Sequence, residues 1–256
     1  MSKKNMALTR IYINDKLRSG GQLELDSEQA HYLGRVLRLH EGSSLTVFNG
    51  DDGEFAASLI SISKNSATVL VEAYIETATE SPLKVHLVQG ISRGERMDYV
   101  VQKATELGVK RISPVFAEHG IVRLDAKRAS KRRAHWQRVA ESACEQSGRI
   151  RPPLIDEPVD LNDWFGAKTS DADIDLILLP RAATALTSIP APKTKVCLLI
   201  GPEGGFTHDE YENALAAGIK AVSLGPRILR TETAAAATIA VVQSMWGDLR
   251  RVGAER

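Results

Sequence analysis

Cysteine is scarce in this chain of 256 residues: Cys144 and Cys197 are the only two. They have no motif spacing and both sit in apolar patterns. That excludes a disulfide framework and points to buried thiols in a reducing compartment. The six histidines, His31, His40, His86, His119, His135 and His208, are scattered without a ligand pair, so no metal centre is expected. Long apolar runs are missing too. None approaches the ~20 residues of a membrane span, and Met1 to Thr9 holds two lysines but no apolar core of a signal peptide. A soluble, cytoplasmic protein without membrane contacts is the expectation. Nor is there a global excess of charge: 33 basic against 32 acidic residues give a net +1. Any nucleic-acid surface must therefore come from local clustering.

What is present is a pair of glycine-rich junctions. Val196 to Ile200 is an apolar run of the length and composition of a buried parallel strand. Gly201-Pro202-Glu203-Gly204-Gly205 follows as a turn, and Thr207 with Glu210 three residues on is a capping box that starts a helix. At the carboxyl end of a strand in an open α/β sheet, such a loop is where ligands sit, because glycine lets the backbone approach and the helix start offers free N–H groups. The loop lacks the Gly-Lys-Ser/Thr of a P-loop and the spacing of G-x-G-x-x-G. A plain strand-to-helix turn is the competing explanation. A second junction, Ala221 to Thr233, weighs against it. A short apolar strand again runs into Gly225-Pro226, then into Arg227-Ile228-Leu229-Arg230 and an alanine-rich helix from Glu232. The two loops are expected side by side on one sheet edge.

Around these junctions the chain divides into a β-rich part and an alternating part. Residues 10–75 read as short strands, at Arg10–Ile13, Leu45–Phe48, Glu54–Ile62 and Ala67–Tyr74, with a helical stretch over Ser27–Leu39. The Gly/Asn turns suggest a small barrel. Glu76 to Pro82 is polar and ends in proline, a linker. From Leu83 strands alternate with helices: strands at Val85–Ile91, Arg111–Phe116 and Asp175–Leu179, and helices at Glu95–Leu107, Lys131–Ser147 and Glu232–Leu249. That alternation is the pattern of a mostly parallel sheet. The organisation expected is residues 1–75, a linker 76–82, and an α/β domain 83–256.

One stretch is strongly basic. Arg123, Lys127, Arg128, Lys131, Arg132, Arg133 and Arg138 are seven cations in sixteen residues, against the single acid Asp125. Such a run is either a solvated face or a contact to phosphates, with affinity that falls steeply with salt. Arg149 and Arg151 extend it, and Arg10, Arg35 and Arg38 are further candidate phosphate contacts in the β-rich part.

Ile200-Gly-Pro-Glu-Gly-Gly-Phe206 together with Leu224-Gly-Pro-Arg-Ile-Leu-Arg-Thr-Glu-Thr233 resembles the SPOUT class of methyltransferases, and more narrowly the 16S ribosomal RNA uridine-N3 methyltransferase family. Arg93-Gly-Glu-Arg-Met97 and Glu141-Ser-Ala-Cys-Glu-Gln-Ser-Gly-Arg149 belong to the same resemblance, which covers nearly the whole chain. It implies a PUA-like β-barrel that holds RNA, a SPOUT α/β domain with a trefoil knot, and a homodimer. It also implies S-adenosyl-L-methionine as methyl donor and a uridine of the small-subunit ribosomal RNA as acceptor. The implied cofactor pocket uses Leu179, Pro180 and Arg181; Leu199, Ile200, Gly201, Pro202, Glu203 and Gly204; and Leu224, Gly225, Ile228 and Leu229. Leu199, Leu224, Ile228 and Leu229 are expected to flank the adenine. Glu203 is a candidate for a ribose hydroxyl or the sulfonium charge, or simply a solvated loop acid. Arg230 or Arg227 is the candidate for stabilising charge on the uracil oxygens. Glu232 would orient the arginine or take the proton, unless it is only a first-turn helix acid. Alternatives are a SPOUT enzyme with another base or a 2′-hydroxyl target, an RNA-binding protein without catalysis, and a nucleotide-dependent enzyme.

Overall fold

Alternation of apolar and polar residues builds the first part of the chain. The computed structural model describes residues 9–167 and 171–250, so the reading of Met1 to Thr9 falls, except for Thr9, outside the described residues. Strands β1 (Thr9–Tyr12), β2 (Gln22–Leu25), β3 (Ser44–Phe48), β4 (Glu54–Ile62) and β5 (Ala67–Ile75) form a sheet in the order β1-β3-β4-β5-β2. The β1–β3 pair is parallel and the others are antiparallel. Leu23, Leu25, Leu45, Val47, Phe55, Ala57, Leu59, Val69 and Val71 supply one buried core from alternate positions, as a sheet with one buried face requires. The expected helix over Ser27–Leu39 is shorter. α1 (Ser27–His31) starts on a capping box between Asp26 and Gln29 and passes into a π-helical turn, Tyr32–Val36. Gly34 inside that stretch weakens the helix, and Arg38 takes a left-handed φ of 55°. The short strand β2, with its Gln-Leu-Glu-Leu alternation, was not anticipated.

The first compact unit is discontinuous. It comprises the residues up to Glu80 and also Cys144–Arg151, while Ser81–Ala143 and the residues from Pro152 onward make the second. Arg10 explains the inclusion of the later segment. Its guanidinium donates to the carbonyls of Cys144 at 2.7 Å and Arg149 at 3.1 Å and pairs with Glu54 at 2.6 Å.

The second unit is built on a wholly parallel sheet. In chain order its elements are β6 (Lys84–Gly90), α2 (Glu95–Glu106), β7 (Val109–Phe116), α3 (Ala126–Ser147, the last residues of which belong to the first unit), β8 (Leu154–Ile155), β9 (Val159–Asp160), α4 (Leu161–Gly166), β10 (Ile174–Leu178), β11 (Lys195–Ile200), α5 (His208–Ala216), β12 (Lys220–Val222) and α6 (Thr231–Trp246). The strand order is β12-β10-β11-β6-β7-β8, with β9 also paired to β7, and every pairing is parallel. The sheet is covered on both faces, which is why β11 reads as an unbroken apolar run. Leu198 and Ile200 enter one core cluster, Cys197 and Leu199 the other. Each such fully buried leucine or isoleucine contributes roughly 1.5–3 kcal/mol.

β11 and β12 are not neighbours, because β10 lies between them. The two glycine-rich loops are therefore separated at the sheet edge by the loop after β10. The capping box at α5 is formed as read from the sequence: Thr207 Oγ1 accepts from Glu210 N, and Glu210 Oε2 from Thr207 N at 2.8 Å. α6 is pinned from within by Gln243, whose amide donates to the Leu107 carbonyl at 2.8 Å and accepts from Ser81 at 2.9 Å. Gly247 ends the helix three residues earlier than the apolar pattern implied. β8, β9 and α4 were not foreseen, since strands of two residues carry no periodicity. Among the described residues no helix is long and apolar enough to cross a membrane.

On β6, His86 bonds Ser113 at 2.7 Å, and Ser113 donates to Asp156, which pairs with Arg111 at 2.7 Å. Burial first, and then the Arg111 charge, lowers the His86 pKa from 6.5 to about 4, partly offset by Asp156 and Asp171. An unfolded chain therefore takes up this proton near pH 6.5, and the folded one only near pH 4. Stability from the neutral imidazole is fully present above the higher value and is lost as pH falls towards the lower. The urea midpoint of the native protein should fall across that window, and His86→Gln should flatten this part of the curve. An unchanged slope in the variant would assign it to other groups.

Candidate active site

The carboxyl ends of β10, β11 and β12 and the start of α6 enclose a cavity of ≈ 660 Å³, within the range of small-molecule sites. Its apolar wall comes from Leu178, Leu179, Ile200, Leu224, Ile228 and Leu229, and its backbone floor from Gly201-Pro202-Glu203-Gly204-Gly205. The floor is pressed against β6. A Cβ on Gly90 would lie 2.5 Å from both Pro202 Cδ and Pro202 N, so only glycine fits there. Gly205 closes the turn with a φ of 72°. A Cβ on Gly204 would lie 2.7 Å from the His119 Cβ and carbonyl oxygen. The empty space at Gly204 is thus taken by the protein itself, and not reserved for a ligand as the sequence suggested.

Three arginines, Arg96, Arg227 and Arg230, and two acids, Glu203 and Glu232, stand in the lining. Arg96 pairs with Glu203 at 2.8 Å, and Glu203 also accepts the Arg93 N–H at 3.3 Å. Burial alone would raise the Glu203 carboxyl, but backbone N–H bonds and the Arg96 charge hold it below its ordinary value. Arg227 and Arg230 are exposed and make no ion pair among the described residues. Arg230 is the N-cap of α6, extended at φ −63° and ψ 151°, without a side-chain cap bond. Glu232 Oε2 is buried without a hydrogen-bond partner. An unpaired buried carboxylate oxygen is costly, and here it belongs to a cavity wall. Apolar flanks, backbone polar groups and a few charged side chains suit an adenosyl group carrying a charged tail. Among the described residues no cluster suits a metal ion.

Of the pocket residues expected from sequence, Leu179, Pro180, Ile200, Gly201, Pro202, Glu203, Gly204, Leu224, Gly225, Ile228 and Leu229 line the cavity, together with Arg227, Arg230 and Glu232. Two do not. Leu199 is packed in the core cluster on the other face of the sheet, so it cannot flank a base in the cavity. Its neighbours Leu198 and Ile200 have the opposite facing, as the two-residue strand period demands. Arg181 is exposed, outside the lining, with a left-handed φ of 66°. Residues missed were Leu178, Gly205, Phe206, Thr231, Ala234 and Arg96. Most extend segments already singled out. Arg96 stands far away in sequence, in the Arg93-Gly-Glu-Arg-Met97 stretch of the resemblance, which was given no place in the pocket.

An RNA methyltransferase domain model matches residues 79–243, and an RNA methyltransferase PUA domain model matches residues 25–72. The ribosomal RNA small subunit methyltransferase E of Buchnera aphidicola is 35% identical over 96% of this chain and 97% of its own. That of Bacillus subtilis is 31% identical over 82% and 85%. The chain belongs to the ribosomal RNA small subunit methyltransferase E family. Two solved structures agree. The Neisseria gonorrhoeae ribosomal RNA small subunit methyltransferase E, bound to S-adenosyl methionine, superposes with a TM-score of 0.87 at 38% identity, covering 94% of this chain and 99% of its own. The Legionella pneumophila protein Lpg2936, in complex with its bound cofactor SAM, reaches 0.91 at 40% identity, covering 95% and 100%. The fold is therefore α/β, a PUA-like unit and a SPOUT methyltransferase unit on a parallel sheet.

For a member of the ribosomal RNA small subunit methyltransferase E family, the placement of the cations matters. On α3, Lys127, Arg128, Lys131, Arg132 and Arg138 are exposed, and at ~100° per residue they span about 140° of the helix surface. Ala129, Trp136, Ala140 and Ala143 form the buried side. Arg133 lies just past the edge of that buried side and is half-buried; it donates to the Ile155 carbonyl at 2.8 Å and faces Glu157. Arg123, Arg35 and Arg38 are exposed. Arg10 and Arg149 are not available to phosphate. Arg10 is held as described, with its guanidinium over Phe48, and Arg149, 3% exposed, pairs with Glu80 at 2.9 Å. Breaking a buried pair leaves a charge without a partner. Arg10→Ala should accordingly cost about 3–5 kcal/mol of stability, whereas Arg35→Ala should leave the urea midpoint unchanged. Equal midpoints for the two variants would remove Arg10 from the framework.

Proposed function

We propose that the protein transfers a methyl group from S-adenosyl-L-methionine to N3 of a uridine in 16S ribosomal RNA, with the small ribosomal subunit or its RNA as partner. The observation that carries the reading is the cavity, which both glycine-rich loops line, the second of them with Arg227 and Arg230. When bound, the cofactor supplies an electrophilic methyl group on a sulfonium. Leu179, Ile200, Leu224, Ile228 and Leu229 give its adenine an apolar enclosure, and the backbone of Gly201 to Gly204 and of Gly225 supplies polar groups to its edges. Glu203 favours the positive charge. The imide N–H of uracil is a poor nucleophile until its proton leaves, and negative charge then spreads to the flanking carbonyl oxygens. Arg230, exposed at the head of α6, meets that charge, with Arg227 next to it. Glu232 takes the proton: its buried Oε2, without a hydrogen-bond partner among the described residues, is a vacant acceptor on the cavity wall.

RNA is held by the exposed cations of α3, namely Lys127, Arg128, Lys131, Arg132 and Arg138, with Arg123, Arg35 and Arg38. The reading also takes the protein as a cytoplasmic homodimer whose C-terminal loops form a trefoil knot; sedimentation tests the dimer. Mass spectrometry of ribosomal RNA methylated by the purified protein tests the reaction. A modified base other than uridine, or a 2′-O-methyl group, would overturn the N3 assignment, and binding without turnover would make the chain an RNA-binding protein.

Two variants separate binding from chemistry. Reversal of Lys127, Arg128 and Lys131 to Glu should weaken RNA binding and flatten its dependence on salt, while leaving cofactor affinity near normal. Fluorescence titrations at several salt concentrations measure this, and an unaltered slope would return the run to a solvated face. Arg230→Ala should lower single-turnover methylation by roughly 10²–10³, as does loss of one oxyanion donor, with little effect on either binding step. Raising pH should recover part of the rate. Full activity in that variant would shift the role to Arg227.

A further inference from the structure

Three segments distant in sequence meet at one hydroxyl beneath the cavity. Gln89, fully buried at the end of β6, is the register partner of Ile200 on β11. Its amide gives one hydrogen to the Gly90 carbonyl at 3.1 Å and the other to Thr231 Oγ1 at 2.9 Å. With two acceptors facing it, the nitrogen end of the amide is fixed. Thr231 Oγ1 donates in turn to the Gly201 carbonyl at 2.6 Å. β6, the loop after β11 and the first residue of α6 are thus joined in one buried chain of hydrogen bonds.

The start of α6 is held in an unusual way. A helix ordinarily begins at Ser, Thr, Asp or Asn in the N-cap position, whose side chain bonds the helix's own N–H groups. Here the N-cap is Arg230, with no side-chain cap bond, and the hydroxyl one residue later turns outward to the carbonyl of the loop after β11. The helix start is therefore registered on that loop. Arg230 and Glu232 flank Thr231 directly, so whatever fixes Thr231 fixes both.

Building on the function proposed above, we propose that Gln89 and Thr231 are positioning residues for methyl transfer. The Gln89–Thr231–Gly201 relay sets Arg230 and Glu232 in register with the floor of the cavity, so that the acceptor base and the methyl donor are aligned. Alignment is the main catalytic contribution in an in-line transfer, and a misplacement of about 1 Å costs on the order of 10²-fold in rate.

The test compares Thr231→Val, which keeps the shape and removes the hydroxyl, with Thr231→Ser and Gln89→Met. Thermal melting, calorimetric titration with S-adenosyl-L-methionine and single-turnover methylation of ribosomal RNA are measured on each, and on the native protein first. An inactive native protein overturns the proposed function, whatever the variants do. With an active one, Thr231→Val and Gln89→Met should lose roughly 10²-fold in rate at saturation with smaller changes in cofactor and RNA affinity. Thr231→Ser should recover most of it. The loss should shrink as pH rises, as for Arg230→Ala, and Thr231→Val combined with Arg230→Ala should lose less than the product of the two single losses, because part of what Thr231 does acts through Arg230. Native rates in Thr231→Val, a fully additive double variant, or a rate loss that only tracks lost folding or cofactor affinity would each overturn the relay.

Discussion

The place where Pro202 fills the space of a missing side chain at Gly90 governs the geometry of the second unit. β6 and β11 are paired in parallel register up to Gln89 and Ile200, and the chain leaves β11 through Gly201-Pro202 while still in contact with β6. That contact fixes the floor of the cavity before any ligand is present. Thr231 and Gln89 then tie the head of α6 to the same floor, and the loops after β10 and β12 complete the walls. The cavity is therefore held by elements of the core, and the charged residues that face it are carried on a prepared frame.

The arginines divide into two populations by what surrounds them. Arg10 and Arg149 face carboxylates and carbonyls in a buried setting, where a guanidinium satisfies several acceptors at once. Arg227, Arg230 and the exposed cations of α3, Arg133 excepted, face solvent or the cavity. With a net charge of +1, this division is what leaves positive charge concentrated on one arc of α3 while acids elsewhere neutralise the rest.

Much of the second unit was legible because its signals are local. The strand preceding Gly201, the capping box of Thr207 and Glu210 and the helix over Glu95–Glu106 depend on residues within a few positions of one another, and they formed as expected. Leu199 belongs to the motif that the resemblance places in the pocket, but strand alternation turns it opposite Ile200, and the period prevails over the motif. Strand order is another matter. No local pattern says that β10 enters between β11 and β12, or that Arg96 and Glu203 will meet. In the first unit Arg10 looked like a phosphate contact because the partners that bury it, the carbonyls of Cys144 and Arg149, lie far along the chain.

That distance has a consequence for how the protein is made. The first unit uses Cys144–Arg151 as part of itself, so the N-terminal strands are not a self-sufficient module. Until the ribosome has synthesised the chain through Arg151, Glu80 lacks its guanidinium partner and Arg10 its carbonyls. Closure of the N-terminal unit must therefore wait for β6, α2, β7 and most of α3 to emerge. A fragment ending at Glu80 would carry the sheet without the segment that locks it, and a gene split after Glu80 would not yield two independent domains.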